Sequence, residues 1–537
     1  MELATVIPGN ETGTKSALTE ERAKLHKSMR RVDMMLFAAA AIIGLDTPAA
    51  VASYGAQAII WLVFALVFFM IPYGMLAAEL GTTFPVEGGP YVWTRMAFGR
   101  LAGAVTAVLY WISTPIWIGG TLTAASIAMI NAFIVKTPLN TTEEIVFGLA
   151  FMWVTVLLAA VEMKWGKWGP NIGTIAKGAV AVLFVILVIV FLADKGRPAG
   201  TMTVTDLKPS LTGFLGVIGL LVFLFAGFET PSSAAEELVD AQRDVPKAIV
   251  GAGVISALIY GSVILGVLLI IPKAGLSKVS GFADAYNSVA TVMGGATHDV
   301  GYIFGTLIIL TLLLSGSAWF EASNRVQAIT ALNGGAPLWF GKFSKSGTPI
   351  VVNIVSGAIG SAFVLLIFLT ANGSLSSFFA VMLSLVISST ALSYVFIFPA
   401  LLMLRKKYPD RKRPYKVPGG QAGAWVVVVL TEIFVIVTGI TLLWPGLVNN
   451  MFGQSYSMES NWGVSRVFFE TVTLGAFIVM VLIGVIFWLL GRGAVAQGRV
   501  NDNDLLAIPE SLTGPAHNAQ RLTEPAAREA TPPGPAL

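Results

Sequence analysis

Long apolar runs constrain the fold of this chain more than any other feature of its sequence. One run extends from Ile172 to Leu192, and Lys177 is its one charged residue. A helix needs about 20 residues to cross a hydrocarbon core about 30 Å thick, so this run is long enough to span a bilayer. Apolar residues form 55% of the chain and charged residues 12%, whereas soluble domains carry about 25% charged residues. The sequence therefore predicts an all-α membrane protein.

Apolar runs of this length recur along the chain and predict twelve transmembrane helices. The two ends of the chain are polar or rich in Pro and Ala. We expect an N-terminal tail over residues 1–32 and a disordered C-terminal tail over residues 491–537. The predicted spans are 33–57, 59–81, 101–131, 145–162, 171–193, 211–238, 247–271, 300–326, 350–371, 376–403, 423–445 and 466–490.

Basic residues indicate the orientation of these spans. Most of the 34 Lys and Arg residues lie before the first span, after the last span and in alternate loops. Because loops rich in Lys and Arg stay on the cytoplasmic side, both termini are expected in the cytoplasm and the chain in the plasma (inner) membrane. A basic cluster could bind nucleic acid or anionic lipid, but between two spans it is expected to anchor the loop, without a nucleic acid partner. The densest cluster is Arg405, Lys406, Lys407, Arg411, Lys412, Arg413 and Lys416.

One local pattern occurs twice, in the first and the sixth predicted spans. Residues 44–48 and 227–231 both read Gly, apolar, acid, Thr, Pro. Because they lie five spans apart, the two copies would cross the membrane in opposite directions, as in an inverted repeat. Pro and Gly weaken a helix, and loose backbone at membrane depth must line a cavity or bind something. Two ordinary proline kinks are the alternative, but these would not require an acid beside each Pro.

Several short motifs occur along the chain in a fixed order. They are Phe84-Pro85, Gly88-Gly89-Pro90-Tyr91, Phe98-Gly99, Phe225-Ala226-Gly227-Phe228-Glu229, Ala235-Glu236-Glu237, Arg243-Asp244-Val245-Pro246, Ser323-Asn324-Arg325, Gly347-Thr348-Pro349 and Arg413-Pro414-Tyr415-Lys416-Val417-Pro418. In these motifs the chain resembles the amino acid–polyamine–organocation (APC) superfamily of transporters over residues 30–495. The resemblance implies the APC fold, in which two inverted five-helix repeats, 33–193 and 211–403, are followed by two C-terminal helices in 423–490. It also implies transport by alternating access.

The resemblance places the substrate against exposed backbone of the first and sixth spans. Many relatives have small residues in the first-span break, whereas this chain has Leu45 and Asp46. A carboxylate there would repel a substrate carboxylate and attract an ammonium group. We therefore hypothesise that Asp46 binds a substrate amine or a coupling proton; alternatively, it pairs with a fixed basic group or a helix N–H. The implied substrate-binding residues are Ile43, Gly44, Leu45, Asp46, Thr47, Phe223, Gly227, Phe228, Glu229 and Trp319, of which Phe223 and Trp319 could instead be packing residues.

Other charged residues have implied roles in coupling and gating. Similar transporters that use no sodium place a lysine at the position of Lys177, where proton binding could couple to transport. Alternatively, Lys177 is a fixed ammonium that bonds carbonyls of the first-span break. Glu236 and Glu237 are candidates for an inner gate with a basic partner. Structural roles are expected for the remaining acids within spans, Glu79, Glu321 and Glu432.

The sequence thus predicts a secondary transporter for amino acids or amines, with proton-coupled symport or exchange. The alternatives are a carrier specific for polyamines or other organocations, and a transporter-like channel or sensor. The chain has no Cys and no Gly-Lys-Ser or Gly-Lys-Thr phosphate loop. With metal-ligand spacing also absent, we expect no cofactor, no metal site and no enzymatic activity.

Overall fold

Helices form the architecture throughout the residues that the computed structural model describes. These are residues 17–22, 29–165, 168–199, 202–238, 240–272, 275–345, 347–370, 375–453, 455–459 and 463–500. Within them, the β-type pairing is limited to one isolated bridge between Met29 and Leu238. The all-α prediction is therefore confirmed for this part of the chain.

Nine helices in the described ranges are long and apolar enough to cross a membrane. Two shorter apolar helices, Leu211–Leu224 and Ile350–Leu366, accompany them. Each of these helices overlaps one predicted span. The predicted first span holds two short helices, Arg31–Ile42 and Pro48–Ala52, separated by a break.

We number the helices in chain order and leave short 3-10 turns unnumbered. Helices α4 and α6 each contain a π-type turn, at Leu66–Met70 and Ile118–Leu122. The bounds are α1 Ala17–Arg22, α2 Arg31–Ile42, α3 Pro48–Ala52, α4 Gln57–Thr83, α5 Gly89–Phe98, α6 Arg100–Phe133, α7 Thr141–Trp165, α8 Trp168–Lys195, α9 Leu211–Leu224, α10 Thr230–Ser233, α11 Ala241–Ile270, α12 Gly281–Ala290, α13 Thr297–Leu332, α14 Ile350–Thr370, α15 Leu375–Ile397, α16 Ala400–Lys407, α17 Gly420–Leu443, α18 Leu447–Met451 and α19 Arg466–Ala496.

Two helices of ten residues each, α5 and α12, lie where the sequence predicted loops. Helix α5 is bounded by Gly88 and Gly99, whose φ angles are 79° and 95°. These left-handed values suit glycine and stop a helix at each end. Both helices are too short to cross a bilayer, so a search for long apolar runs passes over them. The predicted tenth span also differs, because Pro399 separates α15 from α16.

The helix breaks lie in the interior of the helical assembly. Residues 38–52 are buried throughout, and so are residues 224–236. Close to the first break, α6 approaches α14 so tightly that a Cβ on Gly119 would overlap the carbonyl of Gly360. Backbone contact of this kind is typical of helix packing in membranes, where small residues let helices come together.

The loop of residues 405–416, here called the basic loop, is held against the ends of α4 and α5. Arg405 makes two hydrogen bonds to Glu79, from Nε at 2.7 Å and from Nη2 at 2.5 Å. Lys407 donates to the carbonyls of Met96 and Ala97 at the last turn of α5. Cations at a helix C-terminus satisfy its free carbonyls and oppose its dipole. The basic loop therefore fixes helix ends within the protein.

Glu79, for which a structural role was expected, is buried in an ion pair with Arg405. Its side chain is 1% exposed, and that of Arg405 is 6% exposed. Arg413 lies 3.5 Å from the same carboxylate, and the backbone N–H of Val417 donates to it at 2.7 Å. Glu79 thus joins α4 to both ends of the basic loop.

Replacing Glu79 tests this connection. Glu79→Gln keeps the side-chain shape but leaves the buried Arg405 guanidinium without its counter-charge, which costs about 3–5 kcal/mol. We expect a clear fall in the thermal midpoint, measured by size-exclusion chromatography of heated protein in detergent. The control is Glu470→Gln, which removes the pair with Arg466; exposed pairs contribute about 0–1 kcal/mol. Equal midpoints for the two variants would contradict the assignment.

Candidate functional site

The first break separates α2, which ends at Ile42, from α3, which begins at Pro48. Pro48 has no backbone N–H and occupies the first helical position, where that donor is not needed. Ile43 is extended, with φ −78° and ψ 102°. The expected interruption of the first span is therefore present, and its backbone groups need partners outside the helix.

Side chains of three other helices supply those partners. Tyr260 of α11 accepts a hydrogen bond from the Gly44 N–H at 2.8 Å and donates one to the Ile42 carbonyl at 2.6 Å. Trp319 of α13 donates from Nε1 to the Ala41 carbonyl at 2.7 Å. One phenol and one indole thus replace part of the hydrogen-bond ladder that the break removes.

Lys177 of α8 completes this set. Its Nζ donates to the Ala40 carbonyl at 2.6 Å, and the side chain is buried. This is the contact described by the alternative for Lys177, an ammonium that bonds a carbonyl at the first-span break. The same ammonium also interacts electrostatically with Asp46, so a buried acid and a buried base share the break.

The side chain of Asp46 is buried, and one of its two oxygens accepts a hydrogen bond. Its Oδ2 accepts from Trp117 Nε1 at 3.0 Å. Its Oδ1 has no partner of hydrogen-bonding geometry among the described residues. This oxygen folds back over Gly44, where a Cβ would lie only 2.6 Å from it. Asp46 therefore keeps one acceptor oxygen available, close to the Cα of Gly44.

The second break lies between α9 and α10 and contacts the first. Gly227 has φ 121°, a conformation that favours glycine. A Cβ at Gly227 would lie 3.2 Å from Ile42 Cγ1 and 3.4 Å from the Trp319 ring. Two interrupted helices thus meet with their backbones almost in contact. Phe228, within this break, is buried with its ring edge-on to Tyr73.

Glu229 is surrounded by three tyrosines. Tyr110 of α6 and Tyr394 of α15 donate to Oε1 at 2.8 Å and 3.0 Å. Tyr73 of α4 donates to Oε2. These donors are neutral phenols, and all four side chains are buried. The described contacts thus give Glu229 and Asp46, the acids of the two breaks, separate sets of partners.

A small cavity lies between the two breaks. Its volume is about 10 Å³, which is about the space of one water. Thr47, Phe223 and Trp319 line it, whereas Asp46 and Glu229 do not. Sites for small molecules usually measure about 300–1,000 Å³. The described conformation is therefore closed at the breaks, and the buried Ile43 and Leu45 pack beside them.

The predicted inner gate lies in a buried charged cluster on the basic-loop side. Glu236 and Glu87 exchange backbone-to-carboxylate hydrogen bonds of 3.2 Å and 3.3 Å. Glu87 also pairs with Arg325 at 2.5 Å, and Glu321 lies 3.8 Å from the same guanidinium. The basic residue of this cluster is thus Arg325, and it contacts Glu87 and Glu321. The side chain of Glu237 lies outside the described residues.

Several residues of the site carried no signal that sequence reasoning could use. Tyr260, Trp117 and the three tyrosines around Glu229 lie on helices remote in sequence from the breaks. In the sequence alone, a single buried aromatic in an apolar run is indistinguishable from a packing residue.

Glu432, the remaining acid within a predicted span, is half-buried on α17 and lines a groove beside Trp425.

Tyr260→Phe tests the support of the first break. The variant leaves the Gly44 N–H and the Ile42 carbonyl without their partner, at a cost of about 1–3 kcal/mol for each buried group. We expect a lower thermal midpoint in detergent. Tyr302→Phe is the control, because Tyr302 is 49% exposed. If both variants melt alike, the Tyr260 hydroxyl does not support the break.

Comparison with known proteins agrees with this arrangement. The family model described as amino acid permease matches residues 31–458. A protein of Lactococcus lactis, named a probable agmatine/putrescine antiporter, is 30% identical over 426 residues, which are 78% of this chain and 87% of that protein. An uncharacterised transporter of Legionella pneumophila is 30% identical over 397 residues (71% and 82%). A branched-chain amino acid permease of Bacillus subtilis is 25% identical over 433 residues (75% and 86%). The chain therefore belongs to the amino acid permease family of the APC superfamily and is a membrane transporter, not an enzyme.

Proposed function

We propose that this protein moves amino acids or amines across the plasma membrane by alternating access, with the substrate bound between the two helix breaks. The close approach of Gly227 to Ile42, where an added Cβ would lie 3.2 Å from the Ile42 side chain, carries this proposal. Two interrupted helices that meet in the interior offer backbone groups and helix ends to a solute, which continuous helices do not. The closed cavity between them would open toward one side at a time.

We infer that the chain crosses the membrane twelve times, with both termini and the basic loop in the cytoplasm. The long helices, the two shorter apolar ones and the broken pair α2–α3 supply the crossings. The inverted repeats would then be residues 33–193 and 211–403, followed by 423–490. The cations of the basic loop support this orientation.

The substrate contacts that we propose are the backbone of residues 43–47 and 227–229, with Phe223 and Trp319 beside them. Asp46 is the candidate partner for a substrate ammonium, because its Oδ1 accepts no hydrogen bond in the described structure. An ion pair formed in a closed, dry site is much stronger than in water. Both an amino acid and an amine carry the group that this oxygen would take.

Proton coupling is proposed at Lys177, which donates to the Ala40 carbonyl near the end of α2 and interacts electrostatically with Asp46. A substrate ammonium that binds Asp46 would compete with Lys177 for the same carboxylate. Loss of a proton from Lys177 would remove that competition, so substrate binding and proton release would be linked. The cluster of Glu236, Glu87 and Arg325 would close the path on the basic-loop side.

Counterflow in proteoliposomes tests the transport proposal. Vesicles loaded with unlabelled solute are diluted into labelled alanine, glutamate, arginine or putrescine. A carrier gives transient accumulation of the labelled solute that it exchanges, because loaded sites return in the opposite direction. A pH gradient that is acidic inside should raise that accumulation, because the proposed link releases a proton from Lys177 as substrate binds, so that substrate and proton cross in opposite directions. Flux that never saturates would instead indicate the channel alternative, and binding without flux would indicate a sensor.

Asp46→Asn tests the role of the acid in the first break. Removing the charge should weaken inhibition of uptake by amine-bearing solutes by about tenfold or more, the loss of roughly one buried charge-assisted contact. Competition assays with unlabelled amines and amino acids measure this change. Glu432→Gln is the matched control, since it removes an acid of a span away from the breaks. Unchanged inhibition in Asp46→Asn would refute the assignment.

A further inference from the structure

Three cavities follow one another along α3, the start of α4 and α9. The outer cavity, about 430 Å³, is lined by Gln57 of α4 and Gly213 of α9. The middle one, about 20 Å³, is lined by Ala50 of α3 and Leu220 of α9. The inner one is the cavity between the breaks, lined by residues farther along the same path toward the centre.

The outer and middle cavities share part of their lining, and the inner cavity lies farther along the same helices. Tyr54 and Gly216 line both the outer and the middle cavity. On α9 the lining then advances to Phe223, and from α3 it moves back to Thr47, both at the inner cavity. Because α4 begins at Gln57 and ends near the basic loop, the outer cavity lies on the side opposite that loop. A solute from this side would pass the outer cavity before it reached the breaks.

Lys278 is the one charged residue among those that line the outer and middle cavities. It lies in the segment between α11 and α12 and is half-buried. Its Nζ is 5.9 Å from the centre of the Tyr54 ring. Hydroxyl and amide groups dominate the rest of the polar lining, namely Ser53, Ser210, Thr212, Asn449 and Ser455.

We propose that the outer cavity is a binding site for solutes that carry a carboxylate, and that Lys278 selects them on the way to the breaks. A single cation in a cavity with low-dielectric walls raises the local concentration of anionic groups and repels a second cation. The amide of Asn449 can donate to a carboxylate, whereas the hydroxyls of Ser53 and Ser210 already donate to the Ala50 carbonyl and to Gln57 Oε1. This inference rests on the proposed transport function and narrows its substrate class.

The position of Lys278 complements that of Asp46. The outer cation favours a carboxylate, and the inner acid favours an ammonium group. An amino acid carries both groups and satisfies both positions in sequence. A diamine satisfies Asp46 but meets repulsion at Lys278. From the outer side, the path therefore favours amino acids over their decarboxylated counterparts.

A cysteine reporter measures the charge of the outer cavity without any transport. The chain contains no Cys, so Ser53→Cys provides a single thiol in the lining. The rates of its modification by an anionic (ethylsulfonate) and a cationic (ethylammonium) thiosulfonate reagent are compared. We expect Lys278→Gln to lower the anionic-to-cationic rate ratio by about threefold to tenfold, and the difference to shrink from 0.01 M to 1 M salt, as the Debye length falls from about 30 Å to about 3 Å.

Lys208→Gln is the matched control, because Lys208 is an exposed residue of the loop before α9 and does not line the cavity. It should leave the rate ratio as it is in Ser53→Cys alone. A ratio that Lys278→Gln leaves unchanged, or that both variants lower equally, would overturn the proposal.

Competition between matched solutes then tests selection. Arginine and agmatine differ by one carboxylate, as do ornithine and putrescine. In proteoliposomes with the outer side accessible, Lys278→Gln should weaken inhibition by the carboxylate-bearing member about threefold to tenfold relative to its partner, and Lys278→Arg should restore the wild-type ratio. Equal effects on both members would overturn selection by Lys278. Absence of counterflow in the wild type would instead count against the transport proposal, while the rate ratio still reports the anion site.

Discussion

Backbone hydrogen bonding in a medium without water constrains the structure around the two breaks. A helix that stops inside a membrane leaves N–H and C=O groups that lipid cannot satisfy. Here the groups around the first break are met by Tyr260, Trp319 and Lys177, from three different helices. The burial of these side chains, and the packing of the helices that bring them, follow from that need.

The two acids of the repeated pattern are stabilised in different ways. Asp46 accepts from an indole and lies near an ammonium, whereas Glu229 accepts from three phenols. A buried carboxylate is costly unless it is paired or well hydrogen-bonded. The two copies of the pattern are alike in sequence, but their acids lie in different electrostatic environments. In the proposed mechanism this difference assigns substrate and proton chemistry to the first break.

Sequence reasoning reached the all-α class, the family and the position of both breaks, because these depend on local signals. Apolar length, a Gly–acid–Thr–Pro pattern and ordered loop motifs are each readable within a few residues. The partners of the acids were not readable, since Tyr110 and Tyr394 contact Glu229 from helices more than a hundred residues away. Trp319 shows the same limit, because its hydrogen bond to the Ala41 carbonyl joins residues that lie far apart in the sequence. Helix α5 was missed because apolar length says nothing about short helices.

The hydroxyl of Tyr260 is bonded at two points of the first break, to the Gly44 N–H and to the Ile42 carbonyl. These two hydrogen bonds connect α11 to the end of α2. A change in the conformation of the break can keep both hydrogen bonds only if α11 and the end of α2 move together. In the proposed alternating access, such a movement would strain the two single hydrogen bonds to the same helix end, from Trp319 to the Ala41 carbonyl and from Lys177 to the Ala40 carbonyl.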